Sequence, residues 1–139
     1  MTEPSTYLSA DLPPVNISEL EFDALNALAF AISHKQPELS GMLLAELDRA
    51  QVHPVTSLPP GTVTMNSRVE FRDEGNGNVR TVQIVFPHLA DISRDRISIV
   101  TPVAAALIGL SEGDAIPCRF HDGQDRYLRV LKVYPPDEG

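Results

Sequence analysis

The apolar residues of this chain change their period once, and the change falls at a proline cluster. Up to residue 53 they recur every three or four positions; beyond Pro60 they alternate every second position. The first spacing buries one face of a helix and the second buries one side of a strand. Helices first and strands afterwards give an α+β fold, not an alternating one. Pro54, Pro59 and Pro60 make residues 54–62 a linker, because proline neither extends a ladder nor sits inside a helix.

Residues 1–15 carry Pro4, Pro13 and Pro14 among polar neighbours and read as a flexible leader. Residues 16–53 read as a helical hairpin. Asn16 or Ser18 caps its first helix, with Glu19 and Glu21 in the first turn. Ile17, Leu20, Ala24, Leu28, Ala31 and Ile32 form the apolar stripe, widened by Leu25, and the helix stops before Pro37. Leu39, Leu43, Leu47 and Ala50 line one face of a second helix, and the short break at 34–38 makes the pair antiparallel.

Residues 63–139 read as a mostly antiparallel sheet with one short helix. Arg68–Arg72 and Val79–Phe86 alternate around the Gly- and Asn-rich turn 73–78, and a second strand pair flanks the turn 121–125. Between these pairs lies the segment Arg96–Asp114. Ile97 and Ile99 belong to a strand, Thr101 has the side chain of an N-cap, and Pro102 suits the first helical position. Gly109 suits a left-handed helix stop, and Glu112-Gly-Asp114 suits a tight turn.

The formal charge of −8 argues against a grip on nucleic acid, which relies on basic patches. Residues 1–55 hold 8 acidic and 2 basic side chains (net −6), and residues 56–139 hold 11 and 9 (net −2), so an acidic arm precedes a nearly balanced body. Neither a membrane span nor a signal peptide is visible, which fits a cytoplasmic protein. Cys118 has no partner thiol and reads as a buried, inert side chain. His34, His53, His88 and His121 show no ligand spacing, so no metal or other cofactor is expected.

The order of hairpin, linker and sheet resembles the Gre-type transcription elongation factors, and Arg96–Asp114 resembles their hallmark segment. Leu44-Ala-Glu-Leu-Asp-Arg-Ala-Gln51, Val63-Thr-Met-Asn-Ser-Arg-Val69 and Ala104-Ala-Ala-Leu-Ile-Gly-Leu110 with Gly113-Asp114 are similar to a short-armed branch of that family, named for regulation of a nucleoside diphosphate kinase. The resemblance covers about residues 18–134. It implies a coiled-coil arm and an FKBP-like sheet domain. It also implies binding of the RNA polymerase core near the secondary channel, in competition with Gre-type factors, with DNA reached only through the polymerase.

In longer Gre factors an aspartate, a serine and a proline at the strand-to-helix corner touch the polymerase. The matching positions are Val100, Thr101 and Pro102, with Val103 beside them: the proline is kept, the hydroxyl is kept, and the carboxylate is absent. Transcript cleavage by those factors needs a carboxylate pair at the arm's tip, holding a metal ion. The tip here presents His34, Lys35, Gln36 and Glu38, with Glu38 the single carboxylate. Helices of roughly 15 residues reach about 20–25 Å, short of the longer arms. The expectation is a regulator without catalytic activity. The resemblance carries two further readings: a prolyl isomerase, which needs an aromatic-lined pocket in a chain with no Trp, and a direct regulator of a nucleoside diphosphate kinase.

Overall fold

Two short strands that the apolar pattern does not announce close the helical hairpin at its base. β1 (Val15–Ser18) and β2 (Ala50–His53) run parallel, in register from Val15 beside Ala50 to Ser18 beside His53. The computed structural model describes residues 12–119 and 125–136. Residues 1–11 of the expected leader, and all but Asp125 of the expected turn at 121–125, lie outside the described residues.

Between the two strands lie α1 (Glu19–Ile32) and α2 (Pro37–Asp48). Ser18 caps α1, its hydroxyl accepting a hydrogen bond from the Glu21 N–H at 3.2 Å. Leu25 and Ala29 are the buried residues of α1, flanked by the partly buried Phe22, Leu28 and Ile32. The expected stripe is therefore rotated. Leu20 is 69% exposed, and Ala24 and Ala31 also face solvent. The reason is that Ile17 belongs to β1, so the helix takes its phase from Phe22 and Leu25. Pro37 opens α2, and Ser40 ties the helices together by donating to the Ala29 carbonyl at 2.7 Å.

β3 (Arg68–Asp73), β4 (Val79–Val85), β5 (Arg96–Ser98), β6 (Ala115–Arg119) and β7 (Asp125–Tyr134) form one sheet in the order β5-β4-β3-β7-β6. Only the β4–β5 pair is parallel. A third helix, α3 (Pro102–Leu107), follows β5, and every residue from Ala104 to Leu110 is buried. One apolar core serves both halves: Val15, Ile17, Leu25, Leu43 and Leu47 cluster with Ile84, Leu107, Leu110 and Leu128.

The halves are stitched at Gly109. Its carbonyl accepts from the Asn16 N–H and its N–H donates to the Val63 carbonyl, each at 2.9 Å. Its φ is +81°, and a Cβ there would lie 2.4 Å from a methyl of Val15. A second stitch explains the polar run Thr64–Ser67. Asn66 takes a positive φ of 71°, and the buried Ser67 hydroxyl closes the turn, donating to the Thr64 carbonyl at 2.7 Å and accepting from the Thr64 N–H at 2.9 Å. The turn aims the Met65 N–H at the Glu21 carboxylate of α1, 3.3 Å from both oxygens.

Two glycines should respond oppositely to alanine. Gly109→Ala meets Val15 and an unfavourable φ and should cost about 2–4 kcal/mol. Gly41→Ala lies exposed inside α2 with open space around its Cβ and should add about 0.5–1 kcal/mol. Chemical denaturation reads both; a neutral Gly109→Ala would dissolve the stitch.

Glu21 generates a pH prediction. Burial pushes its carboxyl up from the usual 4.5, with the Met65 N–H pulling weakly downward. The folded chain then takes up this proton at higher pH than the unfolded chain, so the ionised group costs stability above its folded pKa. That cost fades as pH falls and is absent below the unfolded value. Glu21→Gln keeps an acceptor for Met65 without the charge. The stability of the variant relative to the native chain should be greater at pH 7 than at pH 3.5, as read by urea melts. An identical difference at both pH values would contradict this account.

Candidate functional site

The strand-to-helix corner is built by hydrogen bonds from two side chains of its own sequence, Ser98 and Thr101. After β5, the Ser98 hydroxyl accepts from the Val100 N–H at 3.0 Å. The Thr101 hydroxyl donates to the Ser98 carbonyl at 2.8 Å and accepts from the Ala104 N–H at 3.3 Å, capping α3. Pro102 then occupies the first helical turn, where a missing N–H costs nothing. The corner is thus fixed from within, and no partner is needed to shape it.

The four corner residues expected from the sequence are placed unequally. Val100 is only 9% exposed and belongs to the core. Thr101, Pro102 and Val103 are half-buried at the surface. The Thr101 hydroxyl is committed inward to two backbone groups, so Pro102 and Val103 lead the outward face.

Beside them runs a mostly apolar groove of about 350 Å³, lined by Ala90, Ile92, Ile97 and Val103 together with parts of Arg80 and Arg96. Ile92 lies on a short 3₁₀ turn (Ile92–Arg94) and is 75% exposed. The turn is braced by Asp91, which accepts from the Ser93 hydroxyl at 2.6 Å and the Ser93 N–H at 3.1 Å. Those bonds, with Arg94 and Arg96 nearby, hold the Asp91 carboxyl below its usual range. Sequence reasoning missed this groove. Its residues come from β4, a 3₁₀ turn, β5 and α3, and only the parallel β4–β5 pairing gathers them.

The arm tip lies apart from the corner. His34, Lys35, Gln36 and Glu38 are all exposed, and the turn is held by the Gln36 N–H donating to the Ile32 carbonyl at 2.8 Å. Phe30 flanks the tip at 80% exposure. Among the described residues no group of three His, Cys, Asp or Glu side chains is arranged to hold a metal ion. The arm does not stand free of the sheet domain. Met42, Ala45 and Glu46 of α2 line a cleft together with Pro102, Ala105 and Cys118. Between that contact and the start of α2 at Pro37 only about 8 Å of helix projects, at 1.5 Å per residue.

Cys118 lies in this cleft but is 3% exposed, and burial, with lesser contributions from Asp125, Asp73 and Glu46, pushes its thiol to about 11. Such a thiol stays protonated near neutral pH and is a poor nucleophile. Among the described residues no helix is long and apolar enough to cross a membrane.

Three comparisons bear on this arrangement. Residues 58–135 match the family described as "Transcription elongation factor, GreA/GreB, C-term". The chain is 36% identical over 126 residues to the regulator of nucleoside diphosphate kinase of Escherichia coli strain K12, covering 90% of this chain and 93% of that one. It is 39% identical over 91 residues to the transcription elongation factor GreA of Thioalkalivibrio sulfidiphilus, spanning 58% of that relative. The solved structure of a prokaryotic GreA/GreB transcription elongation factor from Nitrosomonas europaea superimposes with a TM-score of 0.69 at 36% identity, over 87% of this chain and 99% of that one. The matched segment carries the sheet, the corner and α3 together, and on that ground the chain belongs to the GreA/GreB transcription elongation factor family.

Proposed function

We propose that this protein is a non-catalytic transcription regulator that binds the RNA polymerase core near its secondary channel and competes there with Gre-type factors. The observation that carries the reading is the corner: a threonine-capped, proline-opened helix, hydrogen-bonded within its own sequence, at the position where the family resemblance puts the polymerase contact. Thr101, Pro102 and Val103 make that contact, and Val100 supports them from the core side.

The acidic hairpin points its tip, with His34, Lys35, Gln36 and Glu38, into the channel mouth. Two deficits keep it from promoting transcript hydrolysis. Glu38 is the single carboxylate of the tip, so a metal ion would lack the paired ligand that the longer arms supply. Its helices, of 14 and 12 residues, span only about 21 and 18 Å.

A prolyl-isomerase reading loses ground at the groove, whose lining includes no aromatic side chain to hold a proline ring. The Escherichia coli relative's name carries a second reading, regulation of a nucleoside diphosphate kinase. Offering kinase and polymerase together in one binding experiment separates the two.

Thr101→Asp is an informative corner variant, because aspartate keeps the cap acceptor for the Ala104 N–H while losing the donation to the Ser98 carbonyl. It sets a new charge against the partner, and affinity for purified core polymerase should fall about tenfold, with the melting temperature lowered by a few degrees and Thr101→Ser serving as the control that keeps both bonds. Unaltered affinity in both Thr101→Asp and Val103→Glu would remove the corner from the contact. In a halted-complex assay the native chain should slow cleavage promoted by an added Gre-type factor and release no cleaved transcript alone. Cleavage by the chain itself would end the non-catalytic reading.

A further inference from the structure

The sheet has a second side, turned away from α3 and the arm, and the strand register fixes what it presents. Arg96, Gln83, Arg68 and Tyr134 form one row across β5, β4, β3 and β7. Thr81, Glu70 and Lys132 form the next row, and Arg72 stands beside Arg129 in a third. Their neighbours along the strands, Val69, Val82 and Val133 among them, lie in the core, so these side chains face outward. The first row crosses four strands, a span of about 14 Å, and contains no carboxylate.

Five of the chain's 11 basic residues stand on this face, against two of its 19 acidic ones, Glu70 and Glu74, a local balance of +3 on a chain of −8. Glu74 is held by Arg72 and Arg129, at 3.0 and 2.9 Å. Arg68, Arg96 and Lys132 form no ion pair among the described residues. Further carboxylates stand at the margins. Asp91 faces Arg96 and is bridged to Arg94 at 3.8 Å, Asp95 precedes β5, and Asp125 begins β7. The positive charge therefore gathers along the first row and at Lys132 beside it.

A charge of −8 argues against nucleic acid only where it is evenly spread, and here it is not. A peptide strand finds no free backbone on this face, because β3, β4 and β7 are each paired on both edges. The residues between the cations, Thr81 and Gln83, are polar and give a peptide's apolar side chains little to bury against. A phosphate backbone needs neither; it needs spaced cations and a ring on which a base can stack. Tyr134 supplies the ring, 41% exposed, with the Lys132 ammonium 5.7 Å from its centroid. We propose that this face binds single-stranded RNA, with Arg68, Arg96 and Lys132 taking phosphates and Tyr134 stacking on a base. Gln83 donates its amide to the Asn66 carbonyl at 2.9 Å, which leaves its side-chain oxygen, with the Thr81 hydroxyl, to meet 2′-hydroxyl groups between the phosphates. That chemistry favours RNA over DNA.

The test uses the full chain and a fluorescent single-stranded RNA of roughly a dozen nucleotides, long enough to cross the sheet, with binding read by anisotropy at low salt. The logarithm of affinity should fall against the logarithm of salt with a slope of about −2, as three phosphate contacts on a single strand require. Arg68→Glu and Lys132→Glu change exposed side chains without ion pairs, so circular dichroism should match the native chain, and each should weaken binding about fivefold or more. Tyr134→Ala should weaken it by a similar factor and Tyr134→Phe should restore it. Arg80→Glu makes the same change of charge on the opposite side of β4, beside Phe71, and should stay within twofold of native. Absence of saturable binding overturns the inference, as does an Arg80→Glu loss equal to that of Arg68→Glu, which would mark a response to net charge alone. Equal affinity for DNA of the same sequence overturns the choice of RNA, and displacement by polyaspartate at matched charge assigns the face to an acidic protein instead. Polymerase takes no part in the measurement, so each result leaves docking at the corner where it stands.

Discussion

Everything in this structure passes through the crossing at Gly109. At one residue the backbone leaving α3 touches the strand that begins the arm and the segment that enters the sheet. Only a residue without a side chain fits, because Val15 already fills the space a Cβ would need. Close approach lets Val15 and Ile17 bury completely, and each such side chain contributes about 1.5–3 kcal/mol relative to exposure. The Glu21–Met65 contact repeats the logic on the other side, an α1 carboxylate meeting the turn before β3. Arm and sheet domain therefore share one core.

That union changes what the corner is. Thr101 and Pro102 lie at the seam between α2 and the sheet, with Met42 and Ala45 of the arm lining the same cleft as Pro102. A force on the arm reaches the corner through packed side chains, not through a linker. Residues 54–62, which read as a linker, matter less to the arm's position than β1, whose burial fixes it.

Much of this was legible in the sequence where chemistry is local. The caps at Ser18 and Thr101, the proline at the first turn of α3 and the positive φ at Gly109 each follow from one side chain's needs, and each occurs as read. What the sequence concealed depends on distant partners. β1 and β2 are four residues each, too short to show a period against the helices they adjoin. Counting Ile17 as helical turned the α1 stripe toward Leu20 and Ala24, which face water. The groove was invisible because its lining residues carry no shared motif and are gathered only by the β4–β5 pairing.

The parallel ribbon under the hairpin has an evolutionary corollary. Because β1 and β2 lie side by side and parallel, the chain leaves for the tip at Ser18 and returns at Ala50, beside Val15, so the two points are clamped at opposite ends of the ribbon, about 10 Å apart along the strands. Matched insertions or deletions in both helices would then alter only how far the prong extends, while the ribbon and the crossing above it keep their geometry. Reach becomes an adjustable dimension, separable from attachment, and descendants of one ancestor could diverge in what their tips do while gripping the same host.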